Sequence, residues 1–273
     1  MDLIAIKGRN LVGRINALNS ELCELRYKDV PLMWGGGKPA EMKSEAERKE
    51  GAWPHSEIIM FPVVGSVKNN VITIDGTDYP MGQHGISRYV PFQNLHETTD
   101  SSVAFSQFYE ANSKVNSEKG TFWFPFSFTL LKSYSIVEDT LIFRVDLINR
   151  SERPMPKAFG WHPAFNGLEG AEIVCGRNAY PINEIKETEK GVVLVDNASS
   201  AVYNYNNLSM KMETNLKHMQ IWSPKDHPLV AIEPVTALRG GEYQGEFANK
   251  PGYASLGSGK VATYEVKLAL RGV

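Results

Sequence analysis

Four residues of the sequence have side chains suited to acid–base or ligand-binding chemistry, and each lies where an extended run meets a turn. They are His84 and Arg88 in MGQHGISR, His162 in GWHPAF and Glu233 in LVAIEPV. An imidazole and a carboxylate that face one pocket can serve as general acid and general base. Each residue also has an ordinary structural interpretation, because histidine is commonly half-buried and lone charges at strand ends are commonly solvated. The residues alone therefore leave two interpretations of this set open.

The neighbours of the histidine and the glutamate indicate extended backbone. Pro163 restricts His162 to an extended conformation. Glu233 shares one strand face with two apolar residues, and a carboxylate buried there would need partners. Pro234 cannot donate to a strand ladder, which is typical of a strand end or edge.

Composition and missing motifs exclude several classes of protein. The 273 residues carry 29 basic and 31 acidic side chains, so the net charge of −2 argues against a nucleic-acid partner. The two cysteines predict neither a disulfide framework nor a cysteine-rich zinc site. No apolar run approaches the roughly 18 residues of a membrane span. HExxH and GxSxG motifs are absent from the sequence. We expect a cytoplasmic protein without metal or cofactor, forming one domain over residues 1–273.

Period-two patterning predicts an all-β fold. In TLIFRVDLIN, the residues Leu141, Phe143, Val145 and Leu147 fall on one strand face. Asp75-Gly76 separates two extended runs and predicts a tight hairpin. Many such short strands predict a large antiparallel β-sandwich with few short helices. The polar segment Pro39–Gly51 is helix-like, and it is either a solvated surface helix or a lid over the site.

The order of several separated motifs resembles the aldose 1-epimerase, or galactose mutarotase-like, family. The motifs run from about Trp53 to Glu233 and include FPVVGSVKNNVITIDGTDYPMGQHGISRYVPF, FPFSFTLLKSYSI, FGWHPAFN and VAIEP. They look most similar to the bacterial LacX-like branch. The resemblance implies a galactose mutarotase-like supersandwich with a sugar cleft on one sheet. It also implies cofactor-free interconversion of the α and β anomers of an aldose.

The resemblance assigns a role to each of the four residues. The histidine of the HPAF motif, here His162, is the general acid, and the glutamate of the EP motif, here Glu233, is the general base. The histidine of QHG, here His84, holds the sugar near its ring oxygen, and Arg88 binds the ligand. The acid must be protonated at the start of the reaction, and a nearby carboxylate would favour that state.

Aromatic and polar residues complete the expected sugar site. Trp53 and Trp222 are candidates to stack on the sugar, whereas Trp161 either packs in the core or narrows the pocket. Lys68 and Asn70 are further candidates to bind the sugar. They lie in GSVKNN, where Ser66 and Asn70 replace arginines that are common in the family.

Three functions stay open after these comparisons of motifs. The first is a hexose mutarotase, with a hexose 6-phosphate mutarotase as a variant of it. The second is a non-catalytic carbohydrate-binding protein on the same fold, since a fold does not fix a function. The third is a polysaccharide-acting enzyme, whose motifs would not follow this order. In each case the partner is a sugar, with no nucleic acid or membrane, and the protein is a monomer or homodimer.

Overall fold

The fold was analysed in a computed structural model that describes residues 3–34, 53–167, 170–205, 207–238 and 243–272. The segment Pro39–Gly51, predicted to be a surface helix or a lid, lies outside the described residues. None of the described helices is long and apolar enough to cross a membrane.

Antiparallel strands make up most of the described chain. In chain order they are β1 (Leu3–Lys7), β2 (Leu11–Asn16), β3 (Leu22–Tyr27), β4 (Val30–Pro31), β5 (Glu57–Met60), β6 (Val71–Ile74), β7 (Thr77–Pro80), β8 (Gln93–Asn94), β9 (Ser102–Tyr109), β10 (Val115–Ser117), β11 (Gly120–Phe122), β12 (Phe128–Val137), β13 (Thr140–Asn149), β14 (Met155–Lys157), β15 (Gly160–Asn166), β16 (Glu172–Cys175), β17 (Asn178–Pro181), β18 (Val192–Val195), β19 (Ser200–Tyr205), β20 (Leu208–Thr214), β21 (His218–Trp222), β22 (Leu229–Val235), β23 (Ala254–Leu256) and β24 (Val261–Gly272).

Short helical turns connect some of these strands. The helix α1 spans Ile182–Glu187, and 3₁₀ turns span Lys68–Asn70, Ser87–Tyr89, Glu189–Gly191 and Phe247–Asn249. The predicted all-β sandwich with few short helices is confirmed.

Two large sheets face each other across the core. One has nine strands in the order β17-β16-β19-β20-β24-β13-β12-β9-β8, and the other has five in the order β18-β21-β22-β15-β5. The rings of Phe143 in β13 and Trp161 in β15 stack with centroids 4.4 Å apart, which joins the inner faces of the two sheets. Strands β1 to β4 form a separate four-stranded sheet.

Sequence patterning accounts for the local structure of these sheets. The apolar face predicted in β13, from Leu141 to Leu147, is fully buried at every second residue. Asp75 and Gly76 join β6 to β7 with φ values of 51° and 73°, the left-handed pair that a tight hairpin of this type requires. The predicted strand and the predicted hairpin are both confirmed.

Candidate active site

The five-stranded sheet brings His162 and Glu233 side by side. Strands β15 and β22 pair at Gly160–Val235 and again at Ala164–Ala231, so the register between these pairs puts His162 opposite Glu233. Nε2 of His162 lies 3.3 Å from Oε1 of Glu233. Both residues are buried, and each lies on the sheet face opposite the sandwich core, because successive side chains of a strand alternate.

Two prolines interrupt the ladder at this point. Pro163 and Pro234 lie beside the facing pair and have no N–H to donate. The sequence predicts that Pro234 marks a strand end or edge. In the structure it lies one residue before the end of β22, a central strand that β21 holds from the other side, where Pro234 pairs with Met219. Backbone hydrogen bonding between β15 and β22 is therefore interrupted at the two candidate catalytic residues, while the strands on either side keep the backbone in place.

Gln220 holds the second oxygen of the glutamate. It faces Glu233 across β21 and β22, and its Nε2 donates to Oε2 of Glu233 at 3.2 Å. The sequence analysis did not single out Gln220. The alternation in HMQIW could have found it, because Gln220 and the predicted site residue Trp222 share a strand face.

A tight backbone turn fixes the position of His84. Its φ of 64° is in the left-handed region, and its N–H donates to the carbonyl of Gly65 at 2.8 Å. The next residue, Gly85, cannot carry a side chain, because a Cβ there would overlap the carbonyl of Phe61. The N–H of Gly65 donates back to Nδ1 of His84 at 3.3 Å. Since Nδ1 accepts, a neutral ring carries its proton on Nε2, which lies 3.1 Å from the side-chain amide of Gln83.

Burial keeps both site histidines neutral. The pKa of His84 falls to about 3 because burial disfavours the charged form, with Arg88 and Lys119 acting in the same direction. Burial also lowers the pKa of His162 well below its ordinary value, and His84 and Arg88 add to the effect. Burial therefore acts against the expectation that the carboxylate neighbour favours protonated His162. Nδ1 of His162 is buried without a hydrogen-bond partner in the described part of the chain.

These side chains line an open cleft of about 870 Å³. Trp53 covers His162, with ring centroids 4.1 Å apart, and Trp222 stands edge-on to Trp53 at 6.1 Å. The same cleft is lined by Arg88, and at its rim by Lys119. The structure thus brings together six predicted residues: His84, Arg88, His162, Glu233, Trp53 and Trp222.

Arg88 is half-buried and has no acidic partner among the described residues. Its guanidinium carbon lies 5.2 Å from the ring of Tyr89, and it makes no hydrogen bond or ion pair within that set. Burial lowers its pKa from the ordinary value. Exposed Lys119 and Lys190 line the same cleft together with exposed Glu118, and Nζ of Lys190 lies 3.8 Å from Oε1 of exposed Glu189. The sequence analysis did not identify these two lysines.

Lys68 and Asn70 do not join this cleft. Ser66 lines it, but the chain then turns through the 3₁₀ segment Lys68–Asn70, where Asn69 and Asn70 both have a φ of 54°. The turn carries Lys68 to a separate pocket and leaves Asn70 exposed. Their predicted contact with the sugar gains no support from this geometry.

Trp161 packs in the core below the cleft. It is fully buried, and its Nε1 donates to Oε2 of Glu57 at 2.9 Å. Alternation along β15 explains this position, since Trp161 and His162 must point to opposite faces. Of the two alternatives open from sequence, packing is the one observed. In the described residues no group of three or more His, Cys, Asp or Glu side chains is arranged to hold a metal ion.

Comparison with known proteins places this chain in a family. A family model described as aldose 1-epimerase matches residues 42–204. The chain belongs to the aldose 1-epimerase family, a family of carbohydrate epimerases. No curated protein matches the sequence significantly.

Solved structures with the same fold come from several organisms. A galactose mutarotase-like protein from Lactobacillus casei is 21% identical with a TM-score of 0.79, and 99% of this chain and 100% of that chain align. A galactose mutarotase related enzyme from Lactobacillus acidophilus is 19% identical with a TM-score of 0.78, over 99% and 98% of the two chains. Galactose 1-epimerase from the same species is 9% identical with a TM-score of 0.68, over 100% and 95%. At these identities the likeness shows the fold.

Proposed function

We propose that this protein is an aldose 1-epimerase that interconverts the α and β anomers of a hexose, with His162 as acid and Glu233 as base. The observation that carries the proposal is the buried imidazole–carboxylate pair, 3.3 Å apart, at an aromatic-lined cleft. A sugar ring has apolar C–H faces that stack on aromatic rings, and Trp53 and Trp222 offer such surfaces.

The reaction needs two proton transfers that balance each other. Glu233 takes the proton of the anomeric hydroxyl, and His162 gives a proton to the ring oxygen as the C1–O5 bond breaks. The open-chain aldehyde rotates about C1–C2 and closes on its other face, with the two transfers reversed. Gln220 keeps Glu233 oriented through its 3.2 Å hydrogen bond. Neutral His84 can donate from Nε2 to a sugar oxygen that takes the place of the side-chain amide of Gln83.

The reactive state is a carboxylate beside an imidazolium. Because burial lowers the pKa of His162, this state becomes more populated as the pH falls. The two groups are in contact, so the proton belongs to the pair and the pH–rate profile reports both together.

A hexose 6-phosphate is a second candidate substrate. Arg88 supports it, since a half-buried guanidinium without an acidic partner in the described residues can bind a phosphate through charge-assisted hydrogen bonds. Lys119 and Lys190 at the rim add positive charge on the same cleft.

The test measures interconversion of anomers at equilibrium by saturation-transfer NMR, with glucose, galactose and glucose 6-phosphate. We expect His162→Asn and Glu233→Gln to lower kcat/KM by about 10²–10⁴-fold each, the usual contribution of a positioned acid or base. Exposed His96→Asn and Glu213→Gln are the matched controls and should keep wild-type rates. If the wild-type protein accelerates anomer interconversion for none of these sugars, the proposed enzymatic activity is refuted. If His162→Asn and Glu233→Gln keep the wild-type rate, the proposed roles of these two residues are refuted.

The same assay separates the two substrates. Arg88→Gln should reduce kcat/KM for glucose 6-phosphate by about 10–100-fold more than for glucose if Arg88 binds phosphate. Arg144→Gln changes an exposed arginine paired with Asp146 and should leave the ratio of kcat/KM for the two sugars unchanged. An equal effect of Arg88→Gln on both sugars would leave the neutral hexose as substrate.

A further inference from the structure

A second pocket, of about 260 Å³, lies apart from the cleft. It is bounded by the turn at Lys68, strand β6 and the segment from Tyr243 to Lys250. The short stretch 65–68 borders both cavities, with Gly65 and Ser66 on the cleft and Lys68 on the second pocket. No described residue lines both, so a ligand of the second pocket would not belong to the sugar site.

The pocket contains a buried lysine without an acidic partner. Lys250 is only 5% exposed. Its Nζ donates to the hydroxyl of Tyr253 over a long 3.4 Å and lies 4.8 Å from the centre of that ring. Within the described part of the chain it makes no ion pair. A buried ammonium held by one weak hydrogen bond is costly, so this arrangement favours a ligand that brings negative charge.

Other groups at the pocket are consistent with an anion. Lys68 is a second, half-buried cation with no ion pair among the described residues. Side-chain amides of Asn69 and Gln244 at the rim can donate further hydrogen bonds.

The nearby carboxylates are engaged elsewhere. Oδ1 of Asp78, which lines the pocket, accepts from the hydroxyl of Thr73 at 2.8 Å. The carboxylate of Glu246 accepts from the backbone amides of Asp75 and Gly76 in the β6–β7 turn, at 2.9 and 2.8 Å. Among the residues that line the pocket, two are lysines and one is an aspartate, so the lining carries net positive charge.

We propose that this pocket binds a small oxyanion, a phosphate, sulfate or carboxylate group, between Lys250 and Lys68. Lysine acts as a compact point charge with rotatable donors, so it can bind any of these groups without the planar match that arginine requires. The pocket is large enough for the anionic group and for a small organic moiety that carries it.

Binding should depend on pH in a direction set by Lys250. Burial lowers the pKa of this lysine to about 8. The other ionisable groups around it are Lys68, Asp78, Tyr243, Glu246 and Tyr253, and the pKa of Tyr253 is raised by burial. An anion favours the ammonium form of Lys250. The affinity for the anion should therefore be constant below the pKa of Lys250 and should fall as the pH rises through that pKa. Sulfate is a suitable probe because its charge is constant over this range.

The experiment is a titration of the ¹⁵N-labelled protein with sulfate, followed by amide NMR at several pH values. We expect saturable shifts at Lys68, Thr73 and Gln244 that weaken above about pH 8. Lys250→Met should abolish them, and Lys68→Gln should weaken binding by about tenfold, as for loss of one charge-assisted hydrogen bond. Lys211→Gln, at an exposed lysine paired with Glu213, should leave the affinity unchanged.

Three results would overturn the proposal: no saturable shift, equal affinity in Lys68→Gln, or affinity that does not change with pH. The saturable shift and the pH dependence are measured on the wild-type protein, and Lys68→Gln changes a half-buried residue. The test therefore does not rely on Lys250→Met remaining folded. A parallel titration with acetate identifies the ligand class, because the tighter of the two probes shows whether the pocket prefers a tetrahedral oxyanion or a carboxylate. None of these readouts measures turnover, so the result is independent of the proposed function.

Discussion

A buried ion pair beneath the cleft is the basis of our most quantitative prediction. Glu57 and Lys132 have side chains that are 1% and 3% exposed, and Lys132 Nζ lies 2.6 Å from Oε1 of Glu57. The same oxygen accepts from the hydroxyl of Tyr134 at 2.7 Å, and Oε2 accepts from Trp161. The carboxylate thus joins β5, β12 and the core tryptophan that precedes His162.

Glu57→Gln retains the shape of the side chain and removes its charge. The amide oxygen of glutamine can still accept from Lys132, but the ammonium would lose its counter-charge and would otherwise keep the carbonyl and hydroxyl of Ser20, at 2.8 and 3.2 Å, as partners. Breaking one partner of a buried pair costs about 3–5 kcal/mol, because the other charge stays buried without compensation. We expect a decrease of this size in the free energy of unfolding, measured by urea denaturation.

A double-mutant cycle with Lys132→Met isolates the interaction. Removing both charges should cost much less than the two single changes added together, with a coupling of about 3 kcal/mol. The exposed pair Lys211–Glu213 is the matched control, for which Glu213→Gln should cost less than about 1 kcal/mol. If Glu57→Gln costs no more than Glu213→Gln, or if the cycle shows no coupling, the buried pair does not stabilise this fold as argued.

Three further predictions concern the site. The lowered pKa of His162 reduces the fraction of imidazolium as the pH rises. We therefore expect kcat/KM to fall with rising pH, with the midpoint of this fall below about pH 6.5. A midpoint above about pH 7 would contradict this reasoning. Gln220→Leu should lower kcat by about tenfold with little change in KM and should shift the pH profile, whereas a purely structural role would change only the free energy of unfolding. Gly85→Ala should destabilise the protein by at least about 2 kcal/mol more than Gly76→Ala. The two glycines have similar φ values of 77° and 73°, but of the two only Gly85 faces a backbone carbonyl. Equal decreases in the free energy of unfolding in urea would refute the close approach at Gly85.

Local patterning predicted the parts of the fold that depend on few neighbours. The buried face from Leu141 to Leu147 and the hairpin at Asp75-Gly76 follow from alternation and turn chemistry. The same alternation accounts for the position of Trp161, which the sequence left open, because it points away from the face of its neighbour His162.

Features that depend on tertiary surroundings were not predictable in this way. The neutral state of His162 results from burial by residues distant in sequence, and a nearby carboxylate alone suggested the opposite. Lys68 lies outside the cleft at a turn in which Asn69 and Asn70 have positive φ values. Asparagine tolerates this conformation, but the sequence KNN does not require it. Motif order could place the four candidate residues near one another, but the distance between acid and base is a property of strand register.

Because the proposed acid–base pair lies on strands and the departures from the family pattern lie in connecting segments, we expect these departures to affect the substrate more than the reaction. His162 and Glu233 stand on adjacent central strands, whose spacing is fixed by the sheet at about 4.8 Å, so their separation tolerates change elsewhere. Arg88 and Lys190 lie on 3₁₀ turns and Lys119 lies in the β10–β11 turn, while the GSVKNN segment with Ser66 lies between β5 and β6. Connecting segments accept substitution readily and carry specificity on a rigid scaffold. The proposed acid–base chemistry therefore depends on the sheet, and the identity of the sugar depends on these turns.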